Sequence, residues 1–440
     1  MLLFHLSRLV ATRKPLAVAV FEAGELGPGV PYQTPQPLHV LNVPAGRMSA
    51  VAAESDHFLS WYRASGHPTA SGGDFVARGE FGKYLRHLAT SVAEQSPFVH
   101  IRSQAVRIEP NPNGVKVTSA SGEDCIAKQV VLAWGHNTPR IPKEIDQSAR
   151  AHPGFINDPW SVNVAGSRLE RGALLIGAGL TMIDCAVSIA GQSPDYTMMA
   201  ISRRGLMPQP HRHHGAPPQK LLPPPVAYWP TSARGLLKAI RAYVRTCRNR
   251  DFDWREAVTA LRPVTSHLWQ SMNANEKRRF LEKVVPYWDS HRHRVAPQVA
   301  ARLDQLRTEG RLEVEAARLV RVSAAGDWLE ATILERGQKS EKTIRVGCVV
   351  NCTGPETDVQ RSKNPLVQQM LIDGLVVPDE MRLGIECDSE GHPISRDGTV
   401  LSRLWTIGPV RKAQLWESIA VPEIRVQAEE LAARLLTAGA

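Results

Sequence analysis

Residues 171–205 read RGALLIGAGLTMIDCAVSIAGQSPDYTMMAISRRG, and the rest of the chain is organised around them. An apolar run, 173–176, leads into Gly177-Ala178-Gly179. Apolar residues then recur at helical spacing: Met182, Ile183, Ala186, Val187, Ile189 and Ala190. A second apolar run, 198–201, ends in Ser202-Arg203-Arg204. The order strand, glycine turn, helix, strand is half of a Rossmann-like dinucleotide-binding unit.

The residue types have physical reasons. Gly177 allows the tight turn, and Gly179 lets backbone amides approach a pyrophosphate. The helix opening at Leu180 and Thr181 aims its N–H groups and its positive dipole end at that anion. An acidic residue closing the second strand would favour a free ribose 2′-hydroxyl. Arg203 and Arg204 stand there instead and suit a 2′-phosphate, so NADP is expected rather than NAD. Met182 occupies the usual place of a third glycine, which leaves an ordinary βαβ unit with a chance G-x-G as the alternative.

A length of 440 residues allows two or three domains. Hydrophobic content of 43% with 22% charged residues fits a soluble globular protein. The net charge is +10, but the basic residues are scattered and no aromatic–basic stripe accompanies them. Anionic cofactors and generic surface charge account for it, and no nucleic-acid partner is expected. The six cysteines form no C-x-x-C and sit mostly in apolar runs, as buried thiols of a cytoplasmic protein would. No apolar run reaches the length of a membrane span. The opening MLLFHLSRLV is broken by His5, Ser7 and Arg8 and is not a signal peptide.

The chain opens with a helix over 1–11 and a buried strand over 16–21 that ends at Glu22. This is the second part of a nucleotide-binding unit. Arg203 lies 26 residues after Gly177, and 26 residues before Glu22 falls upstream of Met1. The chain is therefore expected to be N-terminally truncated, lacking the first strand and glycine turn. The alternative is that Met1 opens a complete domain with a helix. A glycine loop with Gly24, Gly27 and Gly29 follows Glu22, then helices over 56–64 and 80–94.

Short strands are then expected at 98–101, 105–109, 115–119 and 124–128, closing on an apolar strand at 129–134 before Gly135-His136. The same order returns at 312–315, 318–323, 328–335 and 341–346, closing on 347–353 before Gly354. The chain is two copies of one plan, each a nucleotide-binding unit, a β-meander and a returning strand. One copy carries Glu22 at its ribose position and the other carries Arg203 and Arg204. Two sites of differing 2′ preference are what a flavoenzyme using FAD and NADP needs.

The expected fold is α/β, with two interleaved Rossmann-like domains, β-meanders and a helical insert. The FAD domain takes 1–155 and 346–440, the NAD(P) domain 156–205 and 301–345, and the insert 206–300. Residues 207–230 are rich in Pro and His. His211, His213 and His214 have no carboxylate or cysteine at ligand spacing, so a solvated loop is expected and no metal. Residues 232–290 are mostly helical by period. His291-Arg292-His293-Arg294 follows, either a solvated helix end or a contact to a cofactor phosphate or anionic substrate. Near the C-terminus a strand at 404–407 precedes Gly408-Pro409. A helix from about 421 then either faces the flavin pyrimidine carbonyl or only covers the sheet.

These segments together resemble the FAD/NAD(P)-binding oxidoreductases of the family of uncharacterised FAD-NAD(P)-binding proteins. More distantly, they are similar to flavin-dependent N-hydroxylating monooxygenases. The residues that carry the resemblance include Val30-Pro31-Tyr32, the run 41–45 with Met48-Ser49, Gly135-His136, 177–184, 202–205, 351–355, Gly408-Pro409 and Trp416-Glu417. The resemblance implies cofactor contacts at Gly27, Gly29, Asn42, Arg47, Met48, Gly135, His136, Gly354, Gly408, Pro409 and Trp416. These join Glu22, the run 177–181, Ser202, Arg203 and Arg204. Two departures stand out: the family's opening strand with its G-x-G-x-x-G turn is missing, and Trp134 replaces a commonly small residue. The expected function is that of an FAD-dependent oxidoreductase taking hydride from NADPH to flavin and passing electrons to oxygen or a small-molecule acceptor. No catalytic acid or base is singled out. The alternative is a truncated, non-catalytic module with a flavoprotein fold.

Overall fold

The apolar runs ALLI and CVVN become the strands Ala173–Ile176 and Cys348–Asn351, and every residue of both is buried. Parallel strands covered on both faces require this composition. The computed structural model describes residues 1–10, 16–95, 98–212 and 221–438. Alternation sorts the side chains of Ala173–Ile176. Ala173 and Leu175 enter one core with the helices Leu180–Ala190 and Pro297–Thr308. Leu174 and Ile176 enter another under the long antiparallel strands. Each fully buried Leu contributes about 1.5–3 kcal/mol of transfer free energy.

These strands lie in a seven-stranded sheet. Its order is Lys342–Val346, Trp328–Glu335, Leu312–Ala325, Met198–Ser202, Ala173–Ile176, Cys348–Asn351 and Phe155–Ile156. Three expectations need correction. The strands expected at 312–315 and 318–323 are one strand. Its first half pairs parallel with Met198–Ser202 and its second half antiparallel with Trp328–Glu335. The NAD(P) unit does not end at 345, because Cys348–Asn351 pairs with Ala173–Ile176 in this sheet. The edge strand Phe155–Ile156, two residues long, begins inside the stretch assigned to the FAD domain.

In the first copy the meander is separate. Val99–Ile101 and Ala105–Asn111 are distinct strands, and Ser103 N–H donates back to the Ile101 carbonyl at 2.8 Å where the backbone breaks. Ala105–Asn111, Gly114–Ser119 and Asp124–Ala127 form their own three-stranded sheet. Ala19–Phe21 pairs parallel with Val99–Ile101, and Leu404–Thr406 pairs parallel with Val130–Leu132. No ladder joins these two pairs among the described residues. They share cores on both faces, however. Phe21, Leu132 and Leu404 meet in one, and Leu16, Val131 and Trp405 meet in the other with Leu2–Val10 and Val421–Ala438. No helix among the described residues is long and apolar enough to cross a membrane.

The insert is helical as expected. Ser232 caps Ala233–Arg248, and a capping box of Asp253 and Glu256 starts Trp254–Ala260. His291 and Arg292 belong to the last turn of Val285–Arg292, so that basic stretch begins inside the helix. Arg292 forms a two-pronged pair with Glu417, at 3.0 and 2.9 Å, and both side chains are nearly buried. Arg262 grips Glu423 with two N–H groups. The insert is thereby fastened to the C-terminal segment. Between the two carboxylates' segments and the strand Leu404–Thr406 sits Trp416, with φ 59° and ψ −58°. Glu417 N–H donates to the Leu415 carbonyl at 2.6 Å, which makes a classic γ-turn, a rare and strained conformation. The indole is fixed by stacking on Trp269 at 4.8 Å and by Phe280 at 5.3 Å.

Removing one partner of a buried pair leaves an unpaired buried charge. Arg292→Met should therefore lower stability in urea by about 3–5 kcal/mol. Adding Glu417→Leu should restore part of that loss. A double variant as unstable as the single one would show that the pair's charge balance is not what holds this junction.

Candidate functional site

Ala173–Ile176 is flanked on one side by Met198–Ser202 and on the other by Cys348–Asn351. Chain order reverses here, so a crevice opens at the C-terminal ends of these strands. Gly177 occupies that end with φ 122°, and a Cβ there would sit 2.4 Å from the Cys352 carbonyl oxygen. Only glycine fits. Gly179 differs: its φ is −87°, it caps the helix Leu180–Ala190, and nothing lies within 4 Å of where its Cβ would be. That open space faces the first-turn amides. Ala178 points into the core at 5% exposure, and Leu180 and Thr181 are half-buried. Gly354, at φ 88°, is equally open beyond the neighbouring strand.

Sequence reading missed Asn351, which holds this rim together. It is fully buried, and its Nδ2 donates to the Arg140 carbonyl and to Asn157 Oδ1, each at 2.8 Å. Its Oδ1 accepts from Thr353 Oγ1 at 2.7 Å. Also missed was the pair Arg78–Asp184, at 2.6 Å, which joins the helix Arg78–Gln95 to Leu180–Ala190. An Asp on a helix after G-x-G and an Arg opening a distant helix carry no local signal of their meeting.

The two arginines after Met198–Ser202 have different fates. Arg203 is exposed and makes no hydrogen bond or ion pair with a described residue. Arg204 Nη2 donates to the Glu282 carbonyl at 3.1 Å, and its guanidinium lies 5.7 Å from the Tyr287 ring centroid. The carbonyl is available because Pro286, four residues on, has no N–H to give it. The segment Phe280–Val284 widens into a π-turn at this point. Arg204 is thus tied to the insert, and Arg203 alone is free beside the crevice. Ser202 is half-buried there, its hydroxyl accepting from Gly205 N–H at 3.0 Å.

The parallel pairs of the first copy gather a second group at their C-terminal ends. Glu22 is exposed, and its Oε1 accepts from Gly24 N–H at 2.8 Å. Gly135, at φ 71°, and Gly408, at φ 81°, follow the paired strands Val130–Leu132 and Leu404–Thr406, each with open space at the Cβ position. His136 has its pKa lowered by burial and then by the Lys412 ammonium. Pro409 starts the short turn of helix after Gly408. Gly29, at φ 56°, is open apart from a distant ring carbon of Pro31.

Other expected residues are engaged elsewhere. Gly27 packs against the helix Arg78–Gln95, where a Cβ would meet the Leu85 carbonyl at 2.8 Å. Met48 and Trp416 are 2% and 6% exposed within apolar cores, so only their backbones can face a ligand. The Asn42 carbonyl accepts from His211 Nε2 at 3.0 Å. Burial, with Arg294 next, pushes the His211 pKa down to about 3, so the ring is neutral. His213 and His214 lie outside the described residues. Arg47 is open to solvent, yet protein crowds it enough to lower its pKa to about 10.

Residues 1–137 match the model of a family described as FAD-NAD(P)-binding. No curated protein sequence matches the chain. L-lysine 6-monooxygenase from Pseudomonas syringae is similar in structure, with a TM-score of 0.67 at 15% identity over 99% of this chain and 96% of that one. Ornithine N-hydroxylase from Kutzneria, solved with reduced FAD, NADP+ and L-ornithine, gives 0.63 at 15% identity over 99% and 97%. Thioredoxin reductase from T. acidophilum gives 0.52 at 11% identity over 100% and 95%. At these identities the likeness is one of fold. The expected two-domain FAD/NAD(P)-binding fold is the one observed.

The two glycines of the turn should separate on substitution. Gly177→Ala forces a collision and a left-handed alanine, and should destabilise the chain by at least about 1–3 kcal/mol in thermal or urea unfolding. Gly179→Ala meets open space and should stay within about 0.5 kcal/mol of the parent. Equal losses would contradict this geometry.

Proposed function

We propose that this chain is an FAD-dependent oxidoreductase that draws electrons from NADPH and passes them to oxygen or a small-molecule acceptor. The observation that carries the reading is the crevice at the strand reversal. It combines an open Gly179, a helix N-terminus behind it and the unpaired Arg203 at its edge. The residues fit a dinucleotide whose pyrophosphate meets the amides of Gly179, Leu180 and Thr181 and whose 2′-phosphate meets Arg203.

The FAD side rests on the second group of residues. Among the described residues nothing donates to Glu22 Oε2, Oε1 being taken by Gly24 N–H, so Oε2 would accept from ribose hydroxyls. Gly135 and Gly408 leave room for close approach at adjacent strand ends. The 18-residue helix Val421–Ala438 presents its positive end near the Glu417 turn, where a flavin carbonyl would be favoured. FAD would supply the acceptance of hydride and the onward transfer of its electrons. The protein's part is to orient, to exclude water and to place these dipoles.

Binding titrations test the assignment. Arg203→Ala should weaken NADPH binding by about tenfold to a hundredfold, the worth of a charge-assisted contact, and change NADH binding by about twofold at most. Arg204→Ala should chiefly lower the melting temperature. Equal losses for both coenzymes in Arg203→Ala would refute the 2′-phosphate assignment.

A further inference from the structure

Four buried side-chain donors among the described residues have no hydrogen-bond partner: Trp288 Nε1, Arg294 Nε, Ser418 Oγ and Arg425 Nε. Native interiors satisfy most such groups, so each calls for an explanation. They share one neighbourhood. Trp288 and Arg294 bracket Arg292, which holds Glu417, and Ser418 follows Glu417. Arg425 lies half a turn beyond Glu423, which holds Arg262. Ser418 is fully buried and Arg294 is 8% exposed.

Charge is unbalanced in the same place. Glu417 and Glu423 are taken by Arg292 and Arg262. Among the described residues Arg47, Arg294 and Arg425 have no carboxylate of their own: Arg294 donates to the Arg255 carbonyl and Thr259 Oγ1, and Arg425 to the Ser49 carbonyl. The Arg47 guanidinium makes no hydrogen bond or ion pair with a described residue. The cations feel one another. After burial, Arg262 and Arg292 lower the Arg47 pKa, and Arg292, Arg255 and Arg47 lower that of Arg294, each to about 10. Crowded, unpaired cations of this kind are costly without an anion.

We propose that the side-chain cluster of Arg47, Arg294 and Arg425 binds a carboxylate-bearing small molecule, the substrate of the oxidoreductase. The network already shows how it takes carboxylates: Arg292 holds Glu417 side-on through two N–H groups, the geometry guanidinium forks favour. The orphaned donors are N–H and O–H groups, which call for acceptor atoms. Arg47 is the open edge through which the anion enters. The word substrate rests on the function proposed above; the binding site does not.

The test is calorimetric titration and thermal shift on the full chain with succinate, citrate and inorganic phosphate, each with and without saturating FAD and saturating NADP+. A carboxylate should bind, raise the melting temperature and add to the effect of NADP+. Arg47→Ala should weaken it by about tenfold, while Arg203→Ala leaves it unchanged. Arg47 has no partner to lose, so this variant should fold as the parent does. Three results would overturn the proposal: no anion binding that depends on Arg47, tighter binding of phosphate than of either carboxylate, or displacement by FAD or NADP+. The last would assign these arginines to the dinucleotide. If carboxylate binds while NADP+ does not, the oxidoreductase reading fails and this site stands.

Discussion

The two arginine–carboxylate pairs, Arg292 with Glu417 and Arg262 with Glu423, are the joint on which the site depends. They clamp the helical insert to the segment that returns from Leu404–Thr406 and opens Val421–Ala438. That clamp works with Ser266 Oγ and Trp269 Nε1, which donate to the Leu415 and Ala413 carbonyls, to hold the strained γ-turn at Trp416, whose indole stacks on Trp269. Buried ion pairs add little net stability over an apolar pair of the same shape. What they do here is geometric: they fix where a helix N-terminus, the four orphaned donors and several cations stand relative to the strand ends.

The crevice at the strand reversal follows a different logic, set by backbone rather than charge. Gly177 lets Ala173–Ile176 turn against the Cys352 carbonyl, and Asn351 ties the facing rim. Arg78–Asp184 and His39, whose Nε2 meets Ser188 Oγ at 2.7 Å, carry the helix Leu180–Ala190 back to the first copy. The two nucleotide units therefore share supports.

Much of this was legible in the sequence, for local reasons. Strand, glycine turn and helix at 173–190 are fixed by neighbours within a few residues, and so was the repeated order of units. The continuous strand Leu312–Ala325 was not legible, because two partners on opposite sides extend it. The division between Arg203 and Arg204 was hidden for a similar reason. It depends on a carbonyl freed by Pro286, far along the chain. Of the cation cluster, Arg292 and Arg294 stand in the basic run read as a solvated helix end or an anion contact; Arg47, Arg262 and Arg425 share no spacing with them, and only folding brings the five together.

The central claim is that NADPH delivers electrons to a flavin held by this chain. The most direct measurement is the visible absorption spectrum of the protein incubated with FAD and freed of excess, before and after NADPH is added without oxygen. The account predicts a bound-flavin band that NADPH bleaches and that NADH bleaches far less readily at equal concentration. A folded protein that retains no flavin, or a bound flavin that NADPH leaves oxidised, would contradict it.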